Sequence, residues 1–168
     1  MEQQTMTERD MYIAGFEREY QTTLKLLKVY PAGKSELRPT EKSKNARELA
    51  FVLAMGQAVA GVAATQNELL SPPEFKAPPT WAEVVGTFEH LHADSLAKLK
   101  KLSDAEFNAP FKLLAGPGGQ TATMRRADVL WFFAMDQVHH RGQFSVYMRI
   151  AGAKVPSIYG PSADEPWG

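Results

Sequence analysis

Apolar side chains return at intervals of three and four along most of this chain, the spacing that lines one face of an α-helix. From about Thr7 to Val29 the recurring set is Tyr12, Phe16, Tyr20, Leu24 and Leu27, which predicts a first helix. A second runs from about Asn45 to Leu70 and is rich in Ala, Val and Leu, a composition expected of a helix buried on more than one side. The third opens at Thr80, with Glu83 three residues on as the other half of a capping box, and its inner stripe reads Trp81, Val84, Val85, Phe88, His92, Ser95, Leu96 and Leu99. The last starts after Thr123 and continues to Ala151, where Gly152 is placed to terminate it. No strand pattern competes with these four segments.

The connections are punctuated by turn residues. "YPAGKSELRPTEKS" follows the first helix, Pro72, Pro73, Pro78 and Pro79 break the chain after the second, and Ser103 with Glu106 forms a cap that Pro110 and the Gly116 to Gly119 run limit to a short helical turn. The end of the chain, "KVPSIYGPSADEPWG", reads as an extended tail over the surface or a partner. The prediction is an all-α protein: a four-helix bundle with an extended Pro/Gly-rich C-terminal tail, one domain over residues 1–168.

Composition narrows the chemistry. The formal net charge is zero, from 19 basic and 19 acidic side chains, so nothing draws the chain to a phosphate backbone, and nucleic acid is not an expected partner. There are no cysteines, which removes disulfides, thiolate ligands and a thiol nucleophile together. Charges are scattered through "MEQQTMTERDMYIAGFEREY", unlike a signal peptide, and no window approaches ~18 consecutive apolar residues. The expectation is a cytoplasmic protein with no membrane partner.

One stretch breaks the apolar pattern of the last helix. "AMDQVHHRGQF", Ala134 to Phe144, sets an aspartate, two histidines and an arginine among aromatic and aliphatic residues. Counting by helical turns from Val129 places Phe133, Asp136, His140, Phe144, Tyr147 and Ala151 on one line, so Asp136 and His140 are expected to face the core. A second line beside it carries Phe132, Met135, His139, Gly142 and Val146, with Gly142 permitting close approach of another helix or chain. Burying a carboxylate and an imidazole costs several kcal/mol unless each finds a partner. Two arrangements supply one: both are ligands of a divalent metal, or they pair with each other as a satisfied polar spot. A third ligand would have to come from another helix. His92, on the inner stripe of the third, is a weak candidate, while His90 points away from it toward solvent.

The run "DQVHHRGQFSVYMRIAGAKVPSIYGPSADEPW" strongly resembles the C-terminal helix and tail of the DinB-like family, the metal-binding four-helix bundles also grouped with bacillithiol and mycothiol transferases. "ARELAFVLAMGQ" is similar, less densely, to that family's second helix. The resemblance implies a nickel or zinc ion held by a histidine early in the second helix and by a pair four residues apart on the last. The pair corresponds to Asp136, where most members have His, and His140; a carboxylate at the first position resembles the mycothiol-dependent isomerase branch. Setting "ELAFVL" on the family's "ELxxHL" puts Val52 where the second-helix histidine would stand. Arg141, Gly142 and Gln143 match the family's RGQ. Arg141 is expected to reach Asp164 or Glu165 of the tail or a neighbouring subunit, or to form an ordinary surface ion pair, and Gln143 to contact a ligand or water.

Two functions of different kind follow from that resemblance. One is a metal-dependent enzyme of the thiol-transferase type, in which an external low-molecular-weight thiol supplies the sulfur that this chain lacks, with Asp136 and His140 as ligands and the metal site degenerate at Val52. The other is a metal-free dimeric small-molecule-binding or scaffold protein, with Val52 and Gln143 beside a pocket between helices. A homodimer is expected from the Gly142 line and the apolar tail residues Ile158, Tyr159 and Trp167.

Overall fold

The computed structural model describes residues 5–71, 74 and 76–167; Pro72 and Pro73, read above as chain breakers, lie outside the described residues. Four long helices form the bundle: α1 (Glu8–Val29), α2 (Ala46–Thr65), α3 (Trp81–Leu99) and, after a short α4 (Asp104–Phe107), α5 (Arg126–Ile150). Capping boxes start the first four of them, at Thr7, Asn45, Thr80 and Ser103, each with an acidic residue three positions on that returns a hydrogen bond to the cap amide. α5 ends where Gly152 takes φ +75°, a left-handed conformation that costs glycine no Cβ clash, and the Ala153 amide donates to the Met148 carbonyl.

The absence of strands is corrected. A small sheet closes one end of the bundle: β1 (Glu68–Leu69) runs parallel to β2 (Pro110–Leu114), which pairs antiparallel with β3 (Thr121–Arg125). Its register sets Phe111 opposite Met124 and Lys112 opposite Thr123. Phe111 is buried against Phe107 and Leu130 in the core, and the hairpin loop carries Gly118 and Gly119 at positive φ. β3 runs directly into α5, so the last helix starts at Arg126 rather than just after Thr123.

The core divides into two apolar clusters. One packs the end of α1, the start of α2 and α3 and the end of α5 around Leu27, Leu53, Phe88 and Phe144; the other packs Tyr12, Ala63, Leu99, Phe107 and Leu130 at the sheet end. Buried polar side chains stand at the level between them: Gln57, His92, Ser95, Thr23 and Arg141. α2 is long and apolar enough to cross a bilayer, and 61% of that stretch is buried within the bundle, as expected of its central helix. Small residues bring α2 close to its neighbours: a Cβ on Gly61 would lie 2.5 Å from Ser95 Oγ, and one on Gly56 would lie 1.8 Å from Gln137 Nε2 on α5.

The tail lies on its own bundle. Val155 is buried, Ile158 packs against the core, and Lys25 of α1 pairs with Glu165 at 2.9 Å, while Tyr159 and Trp167 remain exposed.

Candidate functional site

α5 is the helix that carries the polar motif, and its buried line is not the one counted from Val129. Leu130, Gln137, Arg141, Phe144 and Met148 form the side that enters the bundle, with Leu130, Arg141, Phe144 and Met148 each no more than 2% exposed. Val129, Phe144 and Tyr147 of the counted line are buried, but between them the buried position is Arg141. Asp136 and His140 are therefore corrected from core-facing to half-buried, their side chains 38% and 23% exposed.

His140 sits on the wall of an open cleft of about 430 Å³ at the start of α2, lined also by Ser43, Lys44, Leu49, Gln143, Val146 and Tyr147. His140 Nε2 lies 3.4 Å from Asp136 Oδ2, and its Nδ1 lies 2.9 Å from Gln143 Oε1. Because an amide oxygen can only accept, Nδ1 carries the proton and Nε2 is turned toward the carboxylate. Gln143 Nε2 continues the chain to His139 Nε2 at 3.1 Å. Asp136, His140 and Gln143 thus come together as their spacing suggested.

The fit of a metal can be judged from this geometry. Two ligands on a tetrahedral zinc, each 2.0–2.1 Å from the ion, stand roughly 3.3 to 3.4 Å apart. The Asp136 and His140 atoms match one edge of such a tetrahedron, and Gln143 fixes the imidazole tautomer as an outer partner of a ligand would. The third corner is missing. Val52 is half-buried on α2, one turn beyond Leu49 of the cleft wall and one turn before Gly56, which abuts Gln137; its isopropyl group has no lone pair to give. Among the described residues no three His, Cys, Asp or Glu side chains come close enough together to hold an ion. The residues present do not fit a three-ligand catalytic site.

His92 is elsewhere. It is buried in the middle of the bundle, its ring stacked on Tyr20 at 3.6 Å between centroids and on Phe16 at 4.8 Å, with Nδ1 3.0 Å from Gln57 Oε1. Its Nε2 is buried with no hydrogen-bond partner, 4.0 Å from Glu17 Oε1. It satisfies the polar belt and contributes nothing to the cleft. His90 is exposed, as expected.

Burial pushes the His92 pKa down from its ordinary 6.5 to about 4, the Glu17 charge opposing the shift too weakly to cancel it. The unfolded chain therefore takes up a proton between those values before the folded one does. The stabilisation from a neutral His92 is complete above pH 6.5 and is lost as pH falls to about 4, a loss of about 3 kcal/mol. Urea midpoints measured across that range should fall with pH in the native protein and stay flatter in His92→Gln; equal slopes for the two would contradict the assignment.

Arg141 is corrected most strongly. It is neither a surface ion pair nor bound to Asp164 or Glu165, which instead pair with Arg149 and Lys25. Its side chain is 2% exposed, and Nη1 lies 2.7 Å from Glu19 Oε2 on α1, within reach of Thr23 Oγ1 as well. Nη2 donates to the Tyr159 hydroxyl, which in turn donates to Glu19 at 2.6 Å. Burial raises the Glu19 pKa, but the hydrogen bonds from Tyr159 and Arg141 and the guanidinium charge together outweigh it, and the net shift is downward.

Sequence reasoning missed a second feature, a cavity of about 90 Å³ inside the bundle between α1, α2 and α5. Tyr12, Phe16, Gln57, Trp131, Phe133 and Gln137 are among its walls. Gly15 and Gly56, both of which line it, were the available signal. The Phe132, Met135, Val146 line of α5 is exposed along its length, and nothing lies within 4 Å of a Cβ placed on Gly142.

Comparison with known proteins agrees with this architecture. A model of the DinB family matches residues 1–167. A stretch of 42 residues is 50% identical to an uncharacterized protein of Bacillus subtilis, YrdA; it spans 25% of this chain and 25% of that protein. A DinB-like protein from Bacillus cereus superposes with a TM-score of 0.70 at 20% identity, over 88% of this chain and 95% of that one. A second, YjoA of Bacillus subtilis, gives 0.70 at 17% identity over 89% and 96% of the two chains. YfiT from the same organism, described as a probable metal-dependent hydrolase with an unusual four-helix bundle topology, gives 0.65 at 15% identity over 92% and 94%. At these identities the likeness is one of fold.

Proposed function

The chain belongs to the DinB family, and on that premise we propose that it is a metal-independent, small-molecule-binding member in which Asp136, His140 and Gln143 pair with one another where an ion would be held. One observation carries the reading: the motif supplies a single two-donor edge, 3.4 Å long, which no third ligand joins among the described residues. Two protein ligands are too few for a retained catalytic ion, for which three are usual. His140 Nδ1 is committed to Gln143, and its Nε2 faces Asp136 at 3.4 Å, so the three side chains form a hydrogen-bonded polar cluster on α5. What remains is a cleft lined by His140, Gln143, Ser43 and Lys44 together with Leu49, Val146 and Tyr147, the mixed lining of a small-molecule site.

The same edge also favours a second reading, an enzyme of the thiol-transferase type. There an external low-molecular-weight thiol would complete, as thiolate, the ligand set that Val52 leaves short. Thermal melting separates the two. Under the metal-independent reading, neither EDTA nor 100 µM zinc with N-acetylcysteine shifts the midpoint by more than about 1 °C, because an ion bound no tighter than its own concentration stabilises by under ~0.5 kcal/mol. A rise of several degrees that appears only with zinc and thiol together, and vanishes in His140→Ala, establishes the transferase-type site instead.

A further inference from the structure

We propose that the partly open cavity between α1, α2 and α5 is a binding site for a neutral, single-ring aromatic molecule carrying one hydroxyl or amino group, a ligand of the phenol class. The proposal deepens the small-molecule-binding reading but does not depend on how the Asp136 and His140 edge is used. Its volume of about 90 Å³ is the bulk of one six-membered ring, and Tyr12, Phe16, Trp131 and Phe133 present aromatic walls to it. A wholly apolar guest would satisfy those walls and leave one thing undone. Gln137 Oε1, on the same wall, is buried with no hydrogen-bond partner, a condition that costs the protein the full desolvation of that oxygen.

The neighbouring amides define what the guest must offer. Gln137 lies over Gly56, where a Cβ would fall 1.8 Å from its Nε2, so the glycine leaves the space that its carboxamide fills between α2 and α5. Gln57 also lines the cavity, and its Oε1 is taken by His92 Nδ1, which leaves its NH₂ group as the donor available to a guest. A ring nitrogen facing an amide oxygen must donate, so His92 carries its proton on Nδ1 in this contact and pairs with Gln57 in that orientation. An acceptor on Gln137 and a donor on Gln57 together complement a hydroxyl, which can give its proton to the first and receive one from the second.

Charge selects against an ionised guest. Glu19 lines the cavity as a carboxylate and is already balanced by Arg141 and Tyr159, so a benzoate would add an unpaired negative charge there. A route inward exists, since Arg18 and Met135, both exposed, stand among the lining residues.

Calorimetric titration of the full-length protein with phenol and with toluene tests this, because the two differ only in the hydroxyl. Phenol is expected to bind one per chain and about tenfold more tightly than toluene, the value of one buried hydrogen bond. Gln137→Leu should abolish that preference while toluene still binds. Gly15→Leu should abolish binding of both, since a Cβ there has only Arg18 Nη2 and Trp131 Cη2 nearby, each at 3.9 Å, and a larger side chain grows into the cavity. If Gly15→Leu does not fold, Val138→Phe fills the same space. Equal affinity for phenol and toluene, no saturable heat from either up to about 10 mM, or an unchanged preference in Gln137→Leu overturns the proposal. A metal found in the purified protein beside normal phenol binding would overturn only the metal-independent reading, and absent metal with absent phenol binding only this one.

Discussion

Val52→His is expected to create a zinc and nickel site where the native protein has none of useful affinity. The Asp136 and His140 donors already sit 3.4 Å apart with the imidazole tautomer fixed by Gln143, so two of three corners are in place before the ion arrives. Val52 is half-buried between Leu49 of the cleft wall and Gly56, on the side of α2 that meets α5. An imidazole there replaces a side chain of similar bulk near solvent, so the cost to folding is small. Losing even an outer-shell partner weakens metal sites 10- to 100-fold, and gaining a direct ligand should tighten binding at least about 100-fold. Titration with zinc reads the change, and His140→Ala in the Val52→His background should erase it. Unchanged affinity in Val52→His would show that residue 52 does not face Asp136 and His140.

Arg141→Ala is expected to be the most damaging single change in the motif, and to act through folding. Removing the guanidinium leaves the Glu19 carboxylate, whose side chain is only 20% exposed, with the Tyr159 hydroxyl and the exposed Arg18, 3.6 Å away, as its remaining partners. Breaking a buried pair from one side costs about 3 kcal/mol or more, which for a chain of this size lowers the melting temperature by roughly 6 to 12 °C. The chemistry of that loss is checkable: Glu19→Gln should recover part of it in the Arg141→Ala background, because the stranded charge is then gone. A melting temperature within 2 °C of the native protein, or no recovery in the double variant, would mean the network contributes little. Because Glu19 is held as the anion, its share of the stability is present at neutral pH and is lost as acid protonates it below its depressed pKa.

How much of this was legible without coordinates depended on which signal carried it. The long helices were readable because Tyr12, Phe16, Leu24 and Leu27 repeat with helical period and Thr80 precedes Glu83 by three positions; the boxes at Thr7 and Asn45 are the same signal, found only in the structure. The β2–β3 hairpin was not. Its strands are five residues each, Phe111 and Leu113 alternate with only Lys112 between them, and Pro110 and the glycine run read as helix breakers first. The direction of Asp136 and His140 was misjudged because the count from Val129 carried one line straight through the polar middle of α5, where it is Arg141 that is buried. The Asp136, His140 and Gln143 grouping followed from spacing alone, since positions three and four apart share a helix face whichever way that face is turned. The cavity needed the packing of three helices and could not be read from any one of them.

Elemental analysis of untagged protein, purified without chelator and without a nickel column, tests the central claim most directly. The two-donor edge with valine at the third corner predicts less than about 0.1 equivalent of zinc, nickel or any other divalent transition metal per chain. Close to one equivalent, removed together with Asp136 or His140 by substitution to alanine, would contradict it.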